Sequence, residues 1–191
     1  MRFFFIFIIL LNVFFTQSCV STAIICSAVV ATKSVGDPRS IIQQVDDTIL
    51  ETRINLELNK NKNITKKSRI IVVVYKGNVL LIGESPYLHL SEYVKQIVTN
   101  VKDTKEVYNE IRNGYPINIT TMLNDTLITT IIKSKILISN VVKLGNIKVI
   151  TENSEVFLLG IVTKQEGNNV SKLVSSINGI SKVVTAFNYL N

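Results

Sequence analysis

The chain contains its own alignment. Asp47-Thr48-Ile49-Leu50-Glu51-Thr52-Arg53-Ile54 matches Asp125-Thr126-Leu127-Ile128-Thr129-Thr130-Ile131-Ile132 at an offset of 78 residues. Val79-Leu80-Leu81-Ile82-Gly83 matches Val156-Phe157-Leu158-Leu159-Gly160 at 77, and Val101–Val107 matches Ile177–Val183 at 76. Three blocks in one order, drifting by a single residue each, mark two copies of one unit. The fold must therefore be built twice from a small domain, at 46–112 and 125–191. The span 113–124, with Gly114 and Pro116, is a linker short enough to keep the copies in contact.

Each copy reads in the same order. A helix comes first, with Asp47 or Asp125 placed to accept from its free N–H groups. A strand rich in β-branched residues follows, Ile70–Tyr75 or Ile147–Thr151. Lys76-Gly77-Asn78, or Glu152-Asn153-Ser154-Glu155, turns the chain into a second strand that ends at Gly83 or Gly160. Leu90, Val94, Ile97, Val98 and Val101 then recur at helical spacing, as do Val170, Leu173, Val174 and Ile177. Glu106–Arg112 and Lys182–Leu190 supply the last strands. The order αββαβ predicts an α+β domain, a small mixed three-stranded sheet with one face covered by two helices.

Composition narrows the chemistry. The 191 residues are 47% hydrophobic and 18% charged, with net charge +7, one histidine and two cysteines. That apolar fraction excludes a disordered chain, and two cysteines exclude a disulfide scaffold. A metal cage or a histidine-based triad has almost nothing to draw on. His89 stands alone beside a helix start, and Ser85 has neither a base nor a nucleophile elbow within reach. Glu51 with Glu57, and Asp46 with Asp47, lie on or before a polar helix face. Lys60, Lys62, Lys66 and Lys67 form a basic run without interleaved aromatics, read as a solvated loop facing acidic lipid rather than nucleic acid. No catalytic residue, metal or cofactor is expected. The sequons at Asn63, Asn118, Asn124 and Asn169 are of the kind an Asn-rich composition produces by chance.

The N-terminus carries an address. Arg2 precedes an apolar run from Phe3 to Phe15, in the proportions of a secretory signal. Thr16-Gln17-Ser18-Cys19 closes it and resembles the lipobox of bacterial lipoproteins, with Thr16 at the usual aliphatic position. The resemblance implies removal of residues 1–18, acyl chains on Cys19, a lipidated linker over 19–45, and, with Val20 next, sorting to the outer membrane. Cys26 then reads as a small apolar residue beside the anchor. The alternative is an uncleaved helix running from Phe3 through Ala31.

From Cys19 onward the chain is similar to the BON-domain family, and within it to outer-membrane lipoproteins with two such domains. The likeness rests on the duplicated αββαβ unit and on Asp37-Pro38-Arg39-Ser40, Gln44-Val45-Asp46-Asp47, Glu106-Val107-Tyr108-Asn109-Glu110-Ile111 and Thr151-Glu152-Asn153. It implies a periplasm-facing, non-enzymatic lipoprotein that binds anionic phospholipid such as phosphatidylglycerol. It also implies support of envelope integrity and concentration at division sites.

The two first helices differ in a way that bears on this. In the first copy Leu50, Ile54 and Leu58 make one apolar stripe among Glu51, Thr52, Arg53, Asn55 and Glu57, an ordinary surface helix. In the second, Ile128, Ile132 and Ile136 make the equivalent stripe. Leu127, Ile131, Ser134 and Ile138 form another, widened by Leu137. The charges inside that helix are Lys133 and Lys135, with no acid between Asp125 and Glu152. A second apolar face needs a cover: lipid, the first domain, another copy, or a protein partner such as the β-barrel assembly machinery.

The family resemblance assigns phospholipid contact to this helix, here Leu127, Ile128, Thr130, Ile131, Lys133, Ser134, Lys135, Leu137 and Ile138. Leu127 stands where the family carries a tryptophan, and Ile131 where it carries a basic residue. Leu127, Ile131 and Ile138 would each gain about 1.5–3 kcal/mol on full burial. Each lysine near an anionic surface adds about 1 kcal/mol, against at least about 4 kcal/mol for association. The balance is weak attachment, suited to a protein already anchored at the membrane.

Overall fold

The computed structural model describes residues 41–190. The expected signal sequence and Cys19 lie outside the described residues. The first copy comprises α1 (Ile41–Asn59), α2 (Lys62–Lys67), β1 (Arg69–Tyr75), β2 (Asn78–Ser85), α3 (Leu88–Thr99) and β3 (Val107–Asn113). The second comprises α4 (Ile119–Ser139), a 3-10 turn at Leu144–Asn146, β4 (Ile147–Glu152), β5 (Glu155–Val162), α5 (Lys164–Ser175) and β6 (Lys182–Tyr189). Each sheet keeps sequence order, with an antiparallel hairpin and then a parallel pair, β1-β2-β3 and β4-β5-β6. The parallel step needs a crossover, which α3 and α5 supply. The α+β reading holds in both copies.

Several boundaries differ from the sequence reading. The hairpins' second strands run on past Gly83 to Ser85 and past Gly160 to Val162, because parallel pairing with the last strand continues there. Both first helices reach further back, α1 to at least Ile41 and α4 to Ile119, so α1 extends into the expected N-terminal linker and α4 into the inter-domain one. Asp47 and Asp125 therefore both lie inside a helix, past its first turn, and cap neither. The lysine run is also no loop: Lys62–Lys67 is a short helix, capped by Asn61, which accepts from the Asn63 N–H and buries Ile64.

Two cores follow the predicted faces. Leu50, Ile54 and Leu58 of α1 pack with Val72, Val74, Val79 and Leu81 of the sheet and with Leu90, Val94 and Val98 of α3. Ile132 and Ile136 of α4 pack likewise with Val149, Val156 and Leu158, and with Val170 and Val174 of α5. A third core joins the copies. The opposite faces of the two sheets meet, Val73, Tyr75, Leu80 and Ile82 against Phe157, Leu159 and Ala186. A strand buried on both faces reads as an unbroken apolar run, which is what Ile70–Tyr75 and Val79–Ile82 are.

Polar groups rim this seam. Arg69 Nε donates to Glu152 Oε1 at 2.6 Å, and Arg112 Nη2 to Glu155 Oε2 at 2.7 Å. The Tyr75 hydroxyl donates to the Gly145 carbonyl at 3.1 Å, and the Tyr108 hydroxyl bonds the Asn188 side chain at 2.7 Å. Burial, reinforced by Glu106, pushes the Tyr108 phenol up to about 12.

Gly83 and Gly160 occupy matching places where the hairpin strands approach most closely. A Cβ at Gly83 would collide with the Arg69 carbonyl, and one at Gly160 with the Asn146 carbonyl. Gly160→Ala therefore requires backbone displacement at the heart of the second sheet. It is expected to cost about 3 kcal/mol or more in a urea titration, among the larger single-residue losses.

Candidate functional site

Asn118 starts α4. Its side chain accepts from the Thr121 N–H at 2.9 Å, and after the helix's 21 residues Asn140, at φ 50°, closes it with its N–H on the Ile136 carbonyl. At about 1.5 Å per residue the helix is roughly 31 Å long.

Asp125 fixes how this helix sits. It is 3% exposed, and its two oxygens accept the N–H groups of Asn153 and Ser154 at 2.7 and 2.9 Å. Those two residues form the β4–β5 turn, both at positive φ, 52° and 62°. The first copy repeats the device, with Asp47 accepting from Lys76 at 2.9 Å and Gly77 at 3.0 Å. One turn after Asp125, Thr129 donates to Thr151 Oγ1 at 2.7 Å, a second tie between α4 and β4.

With that face committed inward, the opposite face is free. Ile119, Leu123, Leu127 and Ile131 follow one another at intervals of four, and Leu137 and Ile138 extend the face toward the helix end. All six are exposed, Leu127 at 62% and Ile138 at 84%. Thr126 and Thr130 donate their hydroxyls to carbonyls one turn back, so little unmet polarity interrupts the stripe. Lys133, Lys135 and Ser134 are exposed beside it, and the helix's single acid is the buried Asp125. Of the residues named from the sequence, Thr130, Ile131, Lys133, Ser134, Lys135, Leu137, Ile138 and Leu127 all lie at the surface. Ile128 does not, since it packs against the second core. Ile119 and Leu123 belong to the same stripe and were assigned to the linker. The four-residue rhythm back from Leu127 and the cap at Asn118 were their signals.

The first copy's helix is less ordinary than its sequence suggested. Ile42, Val45, Ile49 and Leu56 of α1 are also exposed. Its charges include acids, however: Glu51, near Lys148 at 3.9 Å, and Glu57, paired with Lys60 at 2.7 Å. His89 is exposed and stacks at a tilt on Tyr87, 5.6 Å between ring centres. Among the described residues no group of three or more His, Cys, Asp and Glu is arranged to hold a metal ion, and no helix is long and apolar enough to cross a membrane.

The BON-domain family profile matches twice, at residues 46–114 and 124–191. The chain is 41% identical over 154 residues to the 21 kDa hemolysin of Actinobacillus pleuropneumoniae, covering 81% of this chain and 79% of that protein. It is 37% identical over 177 residues to outer membrane lipoprotein DolP of Haemophilus influenzae, covering 93% and 91%. Among solved structures, the Chlamydia trachomatis type III secretion protein CdsD aligns over 73% of this chain and 91% of its own, at 13% identity. Its TM-score of 0.32 is too low to bear on fold or function.

Removing the Asp125 carboxylate takes the acceptor away from the Asn153 and Ser154 N–H groups. Asp125→Ala is expected to lose about 3 kcal/mol of stability or more, from two charge-assisted bonds at about 1.5–3 each. Asp125→Asn, which keeps an acceptor, should lose markedly less. Chemical denaturation of the two variants side by side gives both values.

Proposed function

Because the chain belongs to the BON-domain family, with one domain in each repeat, we propose that it is a non-enzymatic outer-membrane lipoprotein. It is held by acyl chains on Cys19, faces the periplasm, and reads anionic phospholipid with the outer face of α4. The resemblance to two-domain lipoproteins extends the role to envelope integrity, including at division sites. The name of the Haemophilus influenzae relative supports the compartment.

The observation that carries the lipid reading is the outer face of α4. Six exposed aliphatic side chains lie beside Lys133 and Lys135, with no exposed acid on the helix. A partner of negative charge and apolar depth meets both features at once, and anionic lipid has both. Leu127 supplies apolar depth but not the indole that favours the headgroup layer. Binding therefore depends on charge density and on insertion more than on headgroup identity. The same face could instead dock a protein such as the β-barrel assembly machinery, and the outcome of the vesicle test decides between them.

A protein beginning at Asp37, and so without acyl chains, is expected to sediment with phosphatidylglycerol vesicles at low salt but not with phosphatidylcholine vesicles. Raising the salt should release it. Leu127→Glu should weaken binding by at least about tenfold, since one buried leucine contributes about 1.5–3 kcal/mol. Equal binding by the variant sinks the assignment to this helix. Absence of binding to either vesicle moves the face to a protein partner.

Anchoring is tested separately. Cys19→Ser should abolish labelling by a clickable palmitate analogue and leave a larger, unprocessed chain. Globomycin should cause the wild type to accumulate in the same form. Normal processing in either case would rule out the lipobox.

A further inference from the structure

The seam between the sheets holds more carboxylates than cations. At one end β2 brings in Glu84 and β4 brings in Glu152, 3% and 4% exposed. Arg69 of β1 is committed to Glu152, through Nε at 2.6 Å and Nη2 at 3.5 Å. Arg112 is Glu84's neighbour in the register of β3. Its guanidinium, however, is taken by Glu155 of β5 at 2.7 Å and by Glu110 at 3.0 Å. Asp125 of α4, which also acts on Glu84, is turned to the hairpin backbone. Glu84 Oε2 is left buried with no hydrogen-bond partner.

The repeat shows that the fold does not require an acid there. At the offset of 77 residues, the second copy places Ile161, which packs against the shared core. Glu84 is thus a departure from an apolar position. An ionised carboxylate buried beside a second carboxylate is disfavoured twice, by lost solvation and by repulsion. One proton removes both penalties, because a neutral Glu84 can donate to Glu152, as in acid pairs that share a proton.

We propose that Glu84, Glu152 and Arg69 form a proton-operated latch between the two domains, closed when Glu84 is protonated and loosened when it ionises. Burial first, then the charge of Glu152 and the bond that a protonated Glu84 can donate to it, push the Glu84 carboxyl from 4.5 up to about 7, against the opposing pull of Arg69. Between those values the folded chain holds a proton that the unfolded chain has released. The latch's contribution is therefore complete below about pH 4.5 and lost as pH rises through about 7.

The test uses the full chain in neutral detergent. Carbon-detected NMR should give the Glu84 carboxyl a midpoint near 7, and a midpoint below about 5 overturns the proposal. Glu84→Gln mimics the protonated state. It should lower the unfolding equilibrium constant at about pH 8.5 by at least tenfold and flatten stability between about pH 5.5 and 8.5. NOE contacts across the seam, from Leu80 to Phe157, should weaken at the higher pH in the wild type and not in the variant. A variant less stable than the wild type at about pH 8.5, or one with the same pH slope, is incompatible with the latch.

Discussion

Each domain hangs on one buried carboxylate. Asp47 and Asp125 sit inside a long helix, past its first turn, and hold both N–H groups of a two-residue hairpin turn. Three of the four turn residues, Lys76, Asn153 and Ser154, are not glycine yet adopt positive φ. Left-handed backbone costs a non-glycine residue roughly 1–2 kcal/mol, and the turn's N–H groups would be poorly served without an acceptor. The aspartate answers both needs, and it fixes helix to hairpin at a set rotation. That rotation decides which side chains of the helix enter the core and which are left outside. The core stripe Ile132–Ile136 and the free stripe Leu127–Ile131 are two readings of one constraint.

The second organising contact is sheet on sheet. A three-stranded sheet covered by helices on one side leaves the other side apolar, and a lone domain would expose Val73, Tyr75, Leu80 and Ile82 to water. Duplication supplies a matching sheet, so each copy covers the other. The rim of ion pairs adds register. Arg69 with Glu152 and Arg112 with Glu155 cross the seam in the same sense, from the first copy to the second. These partners are not repeats of one another, and so the two domains are not interchangeable.

Much of this was legible in the residues. The block alignment gave the duplication, the β-branched runs gave the hairpins, and the helical spacing of Val94, Val98, Val170 and Val174 gave the crossover helices. The misreadings share one cause. Asp47 and Asp125 have the chemistry of helix caps, and local sequence cannot distinguish an acid that caps its own helix from one that reaches a turn 28 or 30 residues away. Placing the helix start there hid the first two turns of α4 and with them Ile119 and Leu123. The sheet seam was readable in principle, since Ile70–Tyr75 is apolar on both faces. Its acidic end was not, because Glu84 meets Glu152 only through tertiary packing.

The seam also bears on what the free helix face is for. An apolar stripe on α4 could have been explained by the neighbouring domain, and that explanation required the first domain to lie against α4. Instead the first domain is spent on the opposite face of the second sheet, through β1, β2, Phe157 and Leu159. The aliphatic face of α4 is therefore not a by-product of domain packing. Six exposed aliphatic side chains on one helix are costly to keep in water, and solubility alone would favour polar replacements at every one of them. The lysines beside them, with the single acid turned inward, match an outside surface that is both apolar and negative. Under the proposed acyl anchoring the helix would meet such a surface at high local concentration, so weak affinity per helix would suffice.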